Sequence, residues 1–332
     1  MLHATDLYGS LMNIIRLHSN TIFKNMPRVV TIGAFDGLHL GHQDLIGQLS
    51  LQEDKLQKDK LAPLQRTLIT FEPLPHEVFM AQAHIARVMQ LRDKIRCLQD
   101  LDAIDELVII PFKKDVLAIS ADDFVQKILI KQLNTKILVI GDDFRFGYKA
   151  LGDYKLLEAY AKQGYFELIR IESRHLLGER ISSTRVRRAL ANADFAQIKA
   201  LTGREYNISG RVIHGRKLAR TLGFPTLNIS LRHRNLPLRG VFNVKAVSLD
   251  AQHIEYSGLA NIGFRPTVDG VKSMLEVHLL GGITGDFYGK YFSITFLNKI
   301  RDEQKFSGID ALKKQIEQDA LQANLYAKIN KI

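Results

Sequence analysis

Short apolar runs recur through the first half of the chain at residues 28–33, 67–71, 107–111, 136–141 and 165–171. Between them, residues 45–60, 89–101, 121–133 and 154–163 carry apolar side chains at helical spacing. Strands that are apolar on both faces and alternate with helices predict a parallel sheet covered on both sides, an α/β domain. In such sheets ligands bind beyond the carboxyl ends of the strands. The first run leads directly into the glycine-punctuated stretch GAFDGLHLGH, which is thereby placed at the binding edge.

The rhythm changes after residues 187–203, which read as a helical connector closed by Gly203. Strand-like stretches at 208–213, 226–229, 241–249, 254–260, 274–280 and 291–296 follow, separated by Gly, Pro and Asn with no helix between. That pattern predicts a small antiparallel barrel. One long helix is expected to close the chain from residue 309 to about 329, with Leu312, Ile316, Leu321 and Leu325 on roughly one face.

Composition fits this division. At 332 residues the chain is too long for one ordinary core and suits two domains, expected at residues 12–186 and 204–332 around the connector. Cys97 is the single cysteine and lies in a helical pattern, so it has no cysteine partner for a disulfide or a metal. A reducing cytoplasm fits. The chain does not open with a basic start followed by an apolar run, and nowhere do about eighteen apolar residues come together. Neither secretion nor a membrane span is expected.

The net charge of +11 is unevenly spread. Residues 1–203 hold 27 basic against 24 acidic side chains, a net of +3, and residues 204–332 hold 19 against 11, a net of +8. Between Arg204 and Lys245 the only acid is Glu205. A basic stretch of this kind serves polyanions, the phosphates of a nucleotide, or a solvated face equally well.

Three stretches of the first half carry candidate chemistry. In GAFDGLHLGH, Gly33 and Gly37 let the backbone approach a bulky ligand, and the helix start that follows offers amide hydrogens and a positive dipole end to phosphate. His39 and His42 straddle that start and can share one pocket. Two imidazoles there suit hydrogen bonding to the charge that builds on a nucleotide's phosphorus as pyrophosphate departs. A zinc pair and two structural histidines are the other readings; zinc would want a third ligand, for which Asp36 is the near candidate. In GDDFRFGYKALGD, Asp143, Arg145 and Gly147 suit a ribose or flavin edge, or simply hold a loop. In RISSTRVRRAL, Ser182, Ser183 and Thr184 can cap a helix whose amides face phosphate, while Arg180 and Arg187 clamp phosphate oxygens. Alone, SST before a helix is also just a good cap.

The second half has no Walker loop. Residues 210–217 read GRVIHGRK, with Arg216 where the lysine belongs and Lys217 where Ser or Thr should carry the metal. Phosphate must be held differently, and the basic HGRKLARTLGF can wrap it with backbone amides while Thr226 and Asn228 offer oxygens to Mg²⁺.

Together these stretches carry a family resemblance. The GxFDGxHxGH turn with a later ISSTxxR resembles the nucleotidyltransferase superfamily, and GDDFRFG points to its FAD synthetase branch. GRVIHGRKLARTLGFPTLNI, GVFNVKAV, GLANIGFRPTV, LEVHLL and DFYGKYFSITFLNKIRDEQKF look like the riboflavin kinase module in order and spacing. From about residue 12 to 326 the chain is similar to the bacterial bifunctional riboflavin kinase/FAD synthetase family. The resemblance implies a Rossmann-like parallel-sheet nucleotidyltransferase domain followed by an antiparallel β-barrel kinase domain with a terminal helix. It implies phosphorylation of riboflavin to FMN by ATP with Mg²⁺, then adenylylation of FMN to FAD with release of pyrophosphate.

The same resemblance implies residue roles. It makes His39, His42 and Glu276 catalytic, Glu276 as base for the ribityl hydroxyl, with Thr226 and Asn228 at the metal. Nucleotide and flavin contacts are implied for Gly33, Phe35, Asp36 and Gly37, for Asp143, Arg145 and Gly147, and for Arg180, Ser182, Ser183, Thr184 and Arg187. In the second half they are implied for Gly215, Gly223, Pro225 and Arg301. The chain departs from the family pattern at Ala34, at Asp143, at Ala219 before Arg220, at Leu227 in place of the alanine of the usual PTANI, and at Leu280-Gly281-Gly282 in place of an acidic-aromatic pair after LEVHL; those at Ala219 and Gly281 make the kinase the weaker half.

The expected partners are ATP, riboflavin and FMN, with no nucleic acid and no membrane, and self-association is left open. Two alternatives stay beside this reading. One keeps a single domain active and makes the other a flavin-binding regulatory module. The other is a nucleic-acid-binding barrel, against which the basic stretch offers few aromatics for stacking.

Overall fold

The computed structural model describes residues 12–18, 21–58, 63–79, 85–214, 226–231, 236–250, 253–267, 270–281 and 285–330. They form two units, one of the described residues up to Ile85 together with Lys94–Ser182, the other of Ala86–Asp93 together with those from Ser183 onward.

In chain order the first half carries β1 (Asn13–Arg16), β2 (Arg28–Ile32), α1 (Leu40–Lys58), β3 (Gln65–Glu72), α2 (Pro75–Phe79) and α3 (Leu91–Asp100). Then come β4 (Glu106–Pro111), α4 (Lys114–Leu117), α5 (Ala121–Asp123), β5 (Thr135–Gly141), α6 (Tyr154–Lys162), β6 (Glu167–Ile171) and the hairpin β7 (His175–Leu176) with β8 (Glu179–Arg180). The sheet order is β1-β4-β3-β2-β5-β6 and every pairing in it is parallel. The five expected runs are β2 to β6. Strand β1 is an addition: its NIIR has no apolar run to announce it, and it exists through in-register pairing of Asn13–Arg16 with Glu106–Ile109.

Strand β2, RVVTI, is buried at every position because β3 and β5 flank it in the middle of the sheet. From β2 the chain winds to one side through β3 and β4, then to the other through β5 and β6. Winding therefore reverses between β2 and β5, and in open α/β sheets the ligand crevice lies at the carboxyl ends of such a pair. At the opposite end, the fully buried Arg28 donates from Nε to Glu106 Oε1 at 2.9 Å and from Nη1 to the carbonyls of Met26 and Leu133, each at 3.0 Å. Saturation of this kind is what makes a buried charge tolerable.

One expected helix differs in kind. Residues 121–133 contain the single α turn of α5, capped by Ser120, followed by a π-helix over Phe124–Gln132. Phe124, Val125, Ile128 and Leu129 still face the core. Apolar spacing of this sort shows that a segment is helical without distinguishing α from π hydrogen bonding.

The second unit continues with α7 (Ser183–Ala191), α8 (Phe195–Thr202), β9 (Asn207–Ile213), β10 (Thr226–Ile229), β11 (Gly240–Ser248), β12 (Glu255–Thr267), β13 (Gly270–Leu279), β14 (Tyr291–Arg301) and α9 (Ile309–Asn330). The expected single connector helix is two helices. They break where Ala193 takes a positive φ of 52° and Asp194 caps α8 by accepting from the Gln197 amide at 2.9 Å. The first of them starts at Ser183, four residues before the expected start at Arg187.

The six strands close into an antiparallel barrel in the order β10-β13-β12-β11-β14-β9. Alternation along each strand sends Leu227, Ile229, Phe242, Val244, Ala260, Leu275, Val277, Ile294 and Phe296 to a dry interior. Leu227 is thus a core residue paired with Val277, so this departure from the family pattern fills the barrel and does not face outward with Asn228. Phe195 of α8 covers Phe296 and Phe242.

Residues 86–93 are held to the barrel by polar anchors. Tyr206 donates to the Val88 carbonyl at 3.1 Å, the Ser209 amide donates to Asp93 at 3.1 Å, and the Ser209 hydroxyl also donates to Asp93. Arg92 lies over the ring of Tyr291, 4.4 Å from its centroid. Among the described residues no helix is long and apolar enough to cross a membrane.

Candidate functional sites

The first site grows from the end of β2. The Gly33 amide still bonds to Ile69 O of β3 at 3.1 Å, but beyond it the backbone leaves the sheet through left-handed Phe35 (φ 46°), Gly37 (φ 88°) and Leu38 (φ 41°). Gly37 suits its φ at no steric cost; Phe35 and Leu38 do not, and both are held by complete burial of their side chains. Asp36 is also buried. The Ala34 carbonyl accepts from Lys94 Nζ at 2.6 Å and from the Thr70 hydroxyl at 3.2 Å, and the Leu38 carbonyl accepts from Gln43 Nε2 at 2.9 Å.

His39 stands immediately before α1 and His42 lies in its first turn. The His42 amide donates to His39 O at 2.8 Å and to His39 Nδ1 at 3.3 Å. Accepting at Nδ1 puts the His39 proton on Nε2 in the neutral ring. The two imidazoles are stacked, with centroids 3.6 Å apart and planes 17° from parallel, and the Phe35 ring meets His42 edge-on at 5.2 Å. A side chain at Gly41 would touch the His39 ring at 3.4 Å, so a small residue here leaves room for the stack.

The second motif leaves β5, the strand next to β2 across the reversal. Asp143 accepts from Arg180 Nη2 at 2.6 Å, joining two residues expected at the site. Asp142 accepts from the Ser173 hydroxyl at 2.7 Å and the Ser173 amide at 3.0 Å. Burial pushes the Asp142 carboxyl up, but these two bonds, with Arg180 and Arg170 nearby, outweigh it and hold it below its ordinary value. Arg145 pairs with Asp153 at 3.2 Å, and Asp153 in turn caps α6 through the Leu156 amide. Gly147 has φ 74°, and a Cβ there would come within 2.7 Å of Ala121 backbone atoms, so its lack of a side chain answers to packing against α5.

Of the third motif, Ser182 ends the first unit and directly precedes α7, Ser183 and Thr184 open that helix, and Arg187 reaches Thr184 Oγ1 at 3.5 Å. Sequence reasoning missed Lys94, Ser173 and Arg174. Arg174 follows β6, pairs with Asp44 of α1 at 2.9 Å, and has its Cβ near Gly41. Its signal was the same as that of Asp143: a polar residue just past a strand's carboxyl end.

The barrel carries the other constellation. On β13, Leu275 and Val277 point inward and Glu276 between them is on the opposite face. Asn228 of β10 and Asn261 of β12 are its direct cross-strand neighbours, so an asparagine flanks the carboxylate on each side. Thr226 sits opposite His278 in the adjoining row. The Oδ1 atoms of Asn228 and Asn261 are buried and have no hydrogen-bond partner among the described residues. An oxygen-only donor set with orphaned acceptors fits a hard cation such as Mg²⁺.

Arg301, expected to reach the flavin or nucleotide, bonds to Asp319 of α9 from Nε and Nη2 at 3.0 and 2.8 Å, and Gln315 also donates to Asp319. Gly215, Gly223 and Pro225 lie outside the described residues.

Comparison with known proteins divides the chain between the same two architectures. Residues 22–185 match the FAD synthetase family and residues 202–327 the riboflavin kinase family. The bifunctional riboflavin kinase/FMN adenylyltransferase of Escherichia coli (strain K12) is 40% identical over 321 residues, covering 96% of this chain and 99% of that protein. The protein of the same name from Haemophilus influenzae is 42% identical over 297 residues, 90% of this chain and 93% of that one. A crystal structure titled as a macrolide-efflux protein from Streptococcus pneumoniae superimposes with a TM-score of 0.74 at 27% identity, over 94% of this chain and 99% of that one. With near-complete coverage at this identity, and with the two family matches falling in order on the parallel sheet and on the barrel, the chain belongs to the bifunctional riboflavin kinase/FMN adenylyltransferase family.

Proposed function

We propose that the chain makes FAD from riboflavin in two ATP-dependent steps, the barrel forming FMN and the parallel-sheet domain adenylylating it. The observation that carries the second step is the stacked His39–His42 pair at a helix start beyond β2, where the sheet reverses.

In that step a phosphate oxygen of FMN attacks the α-phosphorus of ATP in line, the bond to the bridging oxygen breaks, and pyrophosphate leaves. No covalent enzyme intermediate is needed. The histidine pair and the first amides of α1 stabilise charge on the transferring phosphoryl group, and the crevice at β2 and β5 orients the reactants. Arg180, fixed by Asp143, is suited to phosphate oxygens.

In the kinase step Glu276 takes the proton of the ribityl hydroxyl as that oxygen attacks the γ-phosphorus of ATP, the bond from that phosphorus to the β,γ-bridging oxygen breaks, and ADP leaves. Thr226 and Asn228 would hold Mg²⁺, whose chemistry when bound is to neutralise phosphate charge and fix the transferring group. Asn228 fits because its buried Oδ1 lacks a partner among the described residues.

The test is to incubate the protein with riboflavin, ATP and Mg²⁺ and to follow FMN and FAD by chromatography. Sequential appearance of both supports the reading, and loss of FMN formation on chelation supports the metal. Salt-sensitive RNA binding without flavin turnover would instead support a nucleic-acid function.

A further inference from the structure

We propose that Lys94 is a positioning residue for adenylyl transfer: its buried ammonium pins the Ala34 carbonyl and thereby fixes the left-handed turn that carries the histidine pair. This rests on assigning that turn to the adenylylation of FMN.

Lys94 is 1% exposed, although an ammonium is among the costliest groups to bury. Its Nζ donates to Ala34 O at 2.6 Å and to Thr70 Oγ1 at 3.1 Å, and Thr70 itself donates to Ala34 O at 3.2 Å. The Ala34 carbonyl belongs to the peptide that precedes Phe35, so holding it holds the plane from which Phe35 turns to φ 46°. Four residues later the turn delivers His39. Left-handed conformations at non-glycine residues persist only where the surroundings over-determine them. Here one clamp acts at each of the two: Lys94 at the carbonyl before Phe35, and Gln43 Nε2 at the carbonyl of Leu38.

A neutral apolar side chain from α3 would fill the same space without the cost of burying charge. What it would lack is the short, charged donor on Ala34 O, leaving that carbonyl only the 3.2 Å bond from the Thr70 hydroxyl. Catalysis by positioning is sensitive to displacements of about 1 Å, which cost on the order of 10²-fold in rate. A turn released at Ala34 would shift the stacked rings relative to the start of α1 by such distances while leaving the sheet beneath intact.

The experiment compares Lys94→Met and Thr70→Val with wild type, measuring FAD formation from supplied FMN and ATP, FMN formation from riboflavin, and thermal unfolding. Wild-type conversion of FMN to FAD checks the underlying assignment separately. The expected result for Lys94→Met is a fall in kcat for FAD formation of about 10²-fold, with KM for ATP within about threefold and FMN formation within about twofold. Thr70→Val, which removes one partner of the ammonium, falls in the same direction by a smaller factor. A purely structural role lowers both activities together with the melting temperature, and that result overturns the proposal. So does a Lys94→Met enzyme that keeps kcat within about threefold of wild type. If Lys94→Met does not fold, Thr70→Val decides: a folded variant with unchanged kcat overturns the proposal, and a folded variant with lowered kcat for FAD formation alone supports it.

Discussion

The imidazole rings of His39 and His42 lie 3.6 Å apart and nearly parallel, with the amide of one bonded to the ring nitrogen of the other. They form one unit at the mouth of α1, so their contributions should not be independent. Replacing either by Ala is expected to lower kcat for FAD formation by about 10² to 10³-fold while FMN formation is kept. The double variant should lose little more than the worse single one, because removing one ring already releases the other. Steady-state kinetics of the three variants decides it: losses that multiply would mean two separate roles.

Glu276 faces the complementary test. Glu276→Gln keeps the shape of the side chain and removes its ability to take a proton. FMN formation should fall by about 10² to 10⁴-fold, whereas supplied FMN should still become FAD. Chromatography of both reactions on one preparation separates the two sites, since each serves as folding control for the other. Loss of both activities in a folded variant would break the two-site assignment.

The order of elements was legible because both cores obey simple periods: β2 to β5 are largely buried apolar runs, and the barrel strands alternate. What escaped had no such signature. Strand β1 is recruited by pairing with β4 and buries little of its own. Residues 86–93 join the barrel through Asp93 and Val88, by hydrogen bonds that no apolar pattern encodes. At the proposed sites, the motifs pointed to His39, His42, Asp143 and Glu276, but not to the groups that neighbour them. Lys94 is distant in sequence from the Ala34 it bonds, and Asn261 is a neighbour of Glu276 only through strand register. The bond from Arg301 to Asp319 of α9 likewise joins residues that no local pattern pairs.

Gly147 offers a stability test within the GDDFRFG motif. Its φ of 74° and the 2.7 Å approach of a built Cβ to Ala121 both oppose any side chain. Gly147→Ala should therefore destabilise the fold by about 1 to 3 kcal/mol, in contrast to the small gain that Gly→Ala gives where φ is negative. Gly164→Ala, which also has a positive φ but open space around it, isolates the contribution of conformation alone. Urea unfolding of the two variants should rank Gly147→Ala as the more costly, and equal losses would remove the packing argument.

Asp142 sets a pH dependence whose sign follows from its bonds. In the fold it accepts from the Ser173 hydroxyl and amide, and its carboxyl titrates below the ordinary 3.8 despite the opposing effect of burial. Unfolding releases Ser173, so the unfolded carboxyl returns to about 3.8. Above that value both states are ionised and the folded state keeps the full advantage. As pH falls past it the unfolded state takes up the proton first, and the advantage shrinks until the folded carboxyl also protonates. Asp142→Asn removes the titration. The wild type should therefore exceed the variant in unfolding midpoint by a margin that is constant from about pH 7 to 5 and narrows below about pH 4. Urea midpoints across that range check it, and a margin that stayed level to about pH 3 would mean that the charge of Asp142 is not what binds β5 to the segment after β6.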